Sequence, residues 1–180
     1  MVATRLSVAE FEATCGDDRV ELIDGDVVPM SPASEESSGV NSMAHYVLSA
    51  HIVPRKLGRV YGAETGFVLF PGRNTVVAPD VSFLRADRLP HGKARKHFIQ
   101  VPPDLAVEVI APSDRPRDIA AKIALYQEAG VPLVWLADPE AQTVTVFALG
   151  QEPVVLGIGD ELDGGDVLPE FRVAVTTIFA

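Results

Sequence analysis

One short segment constrains this chain more than any other. The run from Leu105 to Ile110 is apolar apart from Glu108, and prolines and polar residues bound it on both sides. Such a run predicts a strand buried on both faces, because a half-exposed strand would alternate polar and apolar residues. A carboxylate inside a buried strand is costly unless it is neutralised, paired with a cation or bound to a metal ion. Glu108 therefore belongs either to a structural ion pair or to a functional site.

Asp80 repeats this pattern upstream. It is the one acidic residue between Val76 and Leu84, and Pro79 before it removes an amide and suggests a strand edge or bulge. Two strand-borne carboxylates serve as a hard-cation site, an acid/base pair or a structural ion pair. With one Trp and three Tyr, the chain is poor in the aromatic platforms that bind sugars. A magnesium-type site needs only one or two protein carboxylates, so it fits the sequence better.

Lys122 is the cation that the sequence can bring to this pair. It lies on the helix predicted after the Glu108 strand, in one line with Asp118 and Tyr126 at four-residue spacing. Because a helix that follows a strand packs back over the sheet, Lys122 can approach a metal-bound water or an attacked phosphate. The alternative is a solvated lysine paired with Asp118, which the residues taken alone favour. Tyr126 is predicted to serve packing rather than chemistry.

The remaining pattern predicts alternating strands and helices in one domain over residues 1–180. The predicted elements are a capped helix over 7–15, a hairpin at Asp24–Gly25, a helix from about Ser34 to Pro54, a hairpin at 71–74 whose second arm continues through Leu84, a helix from Ser113 or Asp114 to about Ala129 with Gly130 as its stop, and a strand at Leu133–Leu136 parallel to the Glu108 strand.

Composition narrows the class of protein. A hydrophobic fraction of 47% and a charged fraction of 22% fit a globular protein, and no apolar run approaches the roughly 18 residues of a membrane span. Cys15 is the only cysteine, which excludes an intrachain disulfide and a cysteine-based zinc site. Glu10 and Glu12 interrupt the stretch where a signal peptide would be apolar. We therefore expect a cytoplasmic protein.

The formal net charge of -10 argues against nucleic-acid binding through global electrostatics. Basic residues nevertheless cluster from Arg85 to His97, whereas no Lys or Arg lies between Lys122 and Arg172. Taken alone, the basic cluster is typical of a solvated loop.

Several segments occur together in a recognisable order. They are 20–25 with 30–32, 78–83, 103–110 with 112–114, and 122–131 with Trp135 and 138–139. In this order they resemble the Uma-type restriction endonuclease family of the PD-(D/E)XK nuclease superfamily, over most of the chain. The resemblance implies an α/β fold: a restriction-endonuclease-like core with a mixed central β-sheet flanked by helices, an N-terminal hairpin and a long helix.

The resemblance also implies an activity and a ligand set. The family pattern is that of a metal-dependent endonuclease that hydrolyses DNA with a metal-activated water, with Mg²⁺ as cofactor and Mn²⁺ as a substitute. By this resemblance Asp80 and Glu108 are metal ligands, assisted by the carbonyl of Val109. Lys122 takes the role of the superfamily's lysine, and Glu21 is the additional acidic residue of the catalytic set.

The same resemblance suggests partners. DNA would be contacted by the loop from Arg85 to His97, and a homodimer is expected by analogy with restriction enzymes. Two departures stand out: Ala111 replaces a serine common in the family, and Ser37 and Ser38 stand near where a histidine often occurs. Two other functions stay open, a catalytically silent binding module with a nuclease fold and an α/β domain whose acids are ion-paired.

Overall fold

A computed structural model describes residues 5–15, 18–89 and 97–180. The helices and strands are, in chain order, α1 (Val8–Thr14), β1 (Val20–Ile23), β2 (Asp26–Pro29), α2 (Glu35–Arg55), β3 (Gly58–Gly62), β4 (Phe67–Phe70), β5 (Thr75–Val77), β6 (Val81–Arg85), β7 (Leu105–Val109), α3 (Pro116–Glu128), β8 (Leu133–Asp138), β9 (Thr143–Ala148), β10 (Val154–Leu156), β11 (Glu161–Asp163), β12 (Arg172–Ala174) and α4 (Val175–Ile178). In these ranges no helix is long and apolar enough to cross a membrane.

The elements around the N-terminal hairpin follow local sequence signals. Ser7 and Glu10 form the predicted capping box of α1, each side chain accepting a hydrogen bond from the other residue's amide. The turn between β1 and β2 places Asp24 and Gly25 at positive φ, as a tight hairpin turn requires. Ser34 caps α2, whose buried residues recur at three- and four-residue spacing as predicted.

Two sheets carry most of the chain. The smaller sheet has the order β2-β1-β5-β4, and the larger one has the order β10-β9-β8-β7-β6-β3. Strand β7 pairs antiparallel with β6 and parallel with β8, and α3 makes the crossover between β7 and β8. This mixed sheet with flanking helices confirms the predicted fold class.

The side chains of β7 alternate between two helix-covered faces. Leu105, Val107 and Val109 join the core that packs against α2, whereas Ala106 joins the core that packs against α3. Because successive strand residues point to opposite faces, Glu108 shares the α3 face with Ala106. The period of the strand thus aims Glu108 at the helix that carries Lys122.

Two predicted boundaries are wrong. The arm predicted to run from Thr75 through Leu84 is two strands in different sheets, because the chain turns a corner at Ala78–Asp80 between β5 and β6. Helix α3 begins at Pro116, with Arg115 at the N-cap, rather than at Ser113 or Asp114. The Asp114 carboxylate instead accepts the amide of Ala111 at 2.8 Å. The predicted stop at Gly130 is confirmed by its φ of 75°.

Candidate active site

Asp80 and Glu108 meet at one end of the larger sheet. Strands β6 and β7 pair Val81 with Val107, so one further step of this antiparallel register places Asp80 beside Glu108. The Asp80 Oδ2 atom accepts the amide of Val109 at 2.8 Å, which fixes its carboxylate against β7. The structure therefore brings together the two carboxylates singled out from the sequence.

Lys122 reaches both buried acids from α3. Its Nζ lies 3.0 Å from Glu21 Oε1 and 3.1 Å from Glu108 Oε1. The alternative pairing with Asp118 is not the one observed, since Asp118 contacts Arg117 at 3.2 Å. The ammonium group thus lies between carboxylates from β1 and β7.

Glu21 is held in this site by a second contact. Its side chain is buried, and Oε1 also accepts the amide of Ala78 at 2.8 Å. This hydrogen bond ties β1 to the corner that immediately precedes Asp80. Glu21 therefore helps to fix the chain position from which Asp80 enters the site.

Tyr126 takes a larger part than the sequence predicted. Its ring is fully buried, and its hydroxyl donates to Glu108 Oε1 at 2.5 Å. The prediction that Tyr126 serves packing is correct for the ring and incomplete for the hydroxyl. The four-residue spacing from Lys122 was the available signal, since both side chains then project from one helix face.

The environment shifts the protonation of these groups. Burial raises the pKa of Glu108 to about 7, although Lys122 opposes the shift. Burial also raises the pKa of Asp80, against the hydrogen bond from Val109. For Lys122, burial alone would lower the pKa, but the charges of Glu108 and Glu21 outweigh it and raise the pKa. Lys122 is therefore a fixed cation at neutral pH rather than a proton acceptor.

These side chains open onto a cleft of about 420 Å³. The β1–β2 hairpin, the start of α2, the end of β7 and helix α3 all contribute to its lining. Among the described residues, three cationic and five acidic side chains line it: Arg19, Arg115, Lys122, Glu21, Asp80, Glu108, Asp114 and Asp118. With all five acids ionised, the lining carries an excess of two negative charges, which one divalent cation would neutralise. Burial opposes this ionisation at Glu108 and Asp80, and a bound cation would favour it.

The donor set fits a hard cation that keeps several water ligands. In the described chain, Asp80 Oδ1 accepts no hydrogen bond, and Glu108 accepts only from Lys122 and Tyr126. A carboxylate offers about four lone-pair positions, so Glu108 retains capacity for a metal. No group of three or more His, Cys, Asp or Glu within the described ranges is arranged to hold an ion by itself. Two carboxylates with water and a phosphate are nevertheless sufficient for Mg²⁺.

The two departures from the family pattern also lie at the cleft. Ser37 is buried in the first turn of α2, and its hydroxyl donates to the carbonyl of Ile110 at 3.1 Å. Ala111 donates its amide to Asp114. Both residues line the cavity and fasten the chain that follows β7.

The described members of the predicted DNA-contact loop are already paired. Arg85 contacts Asp87, Arg88 contacts the buried Asp104 at 2.7 Å, and the His97 ring lies 3.0 Å from Glu12. The remaining basic residues of the loop lie outside the described residues: His91, Lys93, Arg95 and Lys96. The basic residues in the described part of this loop therefore contact acidic side chains of the protein itself and are not free to bind DNA without breaking those contacts.

We expect Arg88→Ala to lower the free energy of unfolding by about 2–3 kcal/mol, because it leaves the Asp104 carboxylate buried without its cation. Arg85→Ala is the matched control, since the pair of Arg85 with Asp87 is exposed on both sides and should contribute less than about 1 kcal/mol. Urea denaturation of both variants measures the difference. Equal losses would show that the contact with Asp104 has no special structural role.

Comparisons with known proteins agree with this architecture. The sequence model of the Uma2 family, described as "Putative restriction endonuclease", matches residues 8–176. The chain is also similar to a crystal structure from Anabaena variabilis ATCC 29413, described as "a putative nuclease belonging to DUF820". The two share 21% sequence identity over 97% of each chain, with a TM-score of 0.85. A search of curated proteins found no match. At this identity the structural likeness shows the fold alone, and it confirms the predicted core.

Proposed function

The chain belongs to the Uma2 family, and on that premise we propose that it is a metal-dependent endonuclease that hydrolyses DNA phosphodiester bonds. The observation that carries the proposal is the convergence of Asp80, Glu108 and Lys122 at one cleft. The description of the family and that of the Anabaena protein, each naming a nuclease, support the same class of reaction.

In this proposal Asp80 and Glu108 hold a Mg²⁺ ion, with the Val109 carbonyl as a further ligand and Mn²⁺ as a substitute. When bound, the ion supplies a water of lowered pKa and neutralises charge on the phosphate. Lys122 stabilises the negative charge that develops on the phosphate oxygens, because its ammonium is fixed beside the carboxylates before the reaction. Glu21 holds that ammonium from the opposite side.

Tyr126 positions Glu108 in the same scheme. Its hydroxyl donates to Glu108 Oε1, while Lys122 donates to Oε2 and also lies 3.1 Å from Oε1. These two donors fix the plane of the carboxylate and leave its remaining lone pairs for the ion. The acidic excess of the cleft supports metal dependence, since a phosphate diester would otherwise approach like charge.

A catalytically silent binding module is the second candidate. It is favoured by the net charge of -10 and by the lysine that already neutralises part of the acidic cluster. In that case the cluster would be an ion-paired remnant of a nuclease site. The retention of all three groups at one open cleft favours the enzyme.

Incubation of the purified protein with supercoiled plasmid tests the proposal. We expect nicking or linearisation with Mg²⁺ or Mn²⁺ and none with EDTA, because the ion would both neutralise the phosphate charge and lower the pKa of the attacking water. Single-stranded and double-stranded oligonucleotides should be included as substrates. If no form of DNA is cut with either ion, the silent module becomes the better account.

The proposal also covers the oligomeric state, the cellular location and the domain organisation of the protein. We propose a homodimer, as in restriction enzymes that act on both strands, and light scattering of the purified protein tests it. A cytoplasmic location and a single domain over 1–180 also stay predictions, and cell fractionation and limited proteolysis test them.

A further inference from the structure

Two arginines at the rim of the cleft differ from the other described arginines. Six of those others have a carboxylate within 4 Å: Arg5, Arg73, Arg85, Arg88, Arg117 and Arg172. Arg55 donates to the carbonyl of His51, and Arg59 lies over the ring of Tyr61. Within the described residues, the side chains of Arg19 and Arg115 make none of these contacts.

Both of these arginines line the cleft that contains the acidic pair. Arg19 precedes β1, and Arg115 is the N-cap residue of α3, so they come from different parts of the lining. Both are exposed to solvent. Each can therefore bind a ligand without first breaking an ion pair with a described residue.

The lack of an acidic partner for these two arginines among the described residues is unusual, because the chain is rich in acidic residues. With 25 acidic and 15 basic residues, a long exposed cation has many available partners. Arginine binds phosphate through two parallel N–H donors, which makes it suited to the backbone of a nucleic acid. The acidic floor of the cleft would repel such a backbone, so cations at the rim are needed on the approach.

The size of the cleft is consistent with phosphate binding at its rim. A cavity of about 420 Å³ lies in the range that holds one small ligand and is much smaller than a DNA duplex. The neighbouring phosphates then remain at the rim. On the basis of the proposed function, we propose that Arg19 and Arg115 bind the DNA backbone on either side of the reacting phosphate.

A salt-dependence measurement tests this assignment. Binding of a fluorescent duplex is measured with Ca²⁺, chosen to support binding without cleavage, for wild type, Arg19→Ala, Arg115→Ala and the double variant. Each lost phosphate contact should weaken binding about tenfold and reduce the slope of log K against log salt by about 0.9. The variants Arg19→Lys and Arg115→Lys should restore the slope, because lysine retains the charge.

Arg55→Ala is the matched control. Arg55 is also an exposed arginine, but it lies 14 residues along α2 from Asn41, which lines the cleft, and this is about 21 Å at 1.5 Å per helical residue. Its slope should equal that of wild type.

The outcomes separate the two proposals. If wild type binds and cuts DNA while the double variant keeps the wild-type slope, the arginine assignment is overturned and the nuclease stands. If wild type neither binds nor cuts any DNA, both proposals fail.

Discussion

Asp80→Asn and Glu108→Gln should each lower Mg²⁺-dependent DNA cleavage by about a thousandfold or more. Both substitutions preserve side-chain volume and an oxygen acceptor, so the amide of Val109 keeps a partner at position 80. What is lost is a negative oxygen ligand, and with it the affinity for a hard cation. Single-turnover cleavage measures the rate, and calorimetric titration with Mg²⁺ measures the binding.

Asp166→Asn is the matched control for this pair. Asp166 is an exposed aspartate that does not line the cleft, so its substitution removes the same charge from the protein without touching the site. Its cleavage rate should stay within about twofold of wild type. A loss in the control equal to that of Asp80→Asn would mean that overall charge, rather than metal ligation, sets the rate.

Lys122→Met should destabilise the protein as well as inactivate it. The substitution removes the ammonium between Glu21 and Glu108 and leaves two carboxylates facing each other in a buried site. The loss of one partner from a fully buried ion pair costs about 3–5 kcal/mol. Because the Lys122 side chain keeps 21% of its exposure, we expect a loss of about 2–4 kcal/mol in urea denaturation without added metal.

A double-mutant cycle shows whether this loss comes from the ion pair. Glu21→Gln combined with Lys122→Met should be more stable than the sum of the single losses predicts, by at least about 1 kcal/mol. Lys56→Met is the control, since Lys56 is exposed at the end of α2 and its change should stay within about 0.5 kcal/mol. Additive losses, or an unchanged stability in Lys122→Met, would contradict the bridging position of Lys122.

Local pattern was sufficient to find the main carboxylates of the site. Glu108 and Asp80 stand out because a single charge in an apolar strand is costly, and that cost is readable from neighbouring residues. The packing of a helix over its sheet allowed Lys122 to approach the site, but the residues alone favoured its pairing with Asp118, and the family resemblance decided the assignment. The hydroxyl of Tyr126 was missed because a buried tyrosine at helical spacing predicts packing equally well.

Other features depend on tertiary contacts that no local pattern contains. Strand β3 was not predicted, since it begins and ends with glycine, a residue that is uncommon in strands. The tertiary contact explains the first glycine, because a Cβ at Gly58 would lie 2.1 Å from the carbonyl oxygen of Leu84. The corner at Ala78–Asp80 was missed because a strand's sequence does not tell which sheet it joins. Arg19 and Arg115 lie 96 positions apart in sequence, and only the fold brings both to the lining of the cleft. The sequence instead pointed to residues 85–97 as the DNA-contact loop, because basic residues cluster there.

The most direct test of the metal site is a crystal structure of the protein soaked with Mn²⁺, with the ion located by its anomalous scattering. We predict one peak at the end of β7, bound by the carboxylates of Asp80 and Glu108 and the carbonyl of Val109 at about 2.0–2.2 Å. The crystal should be soaked at an ion concentration that saturates cleavage. A peak elsewhere, with no ion on either carboxylate, would contradict the assignment.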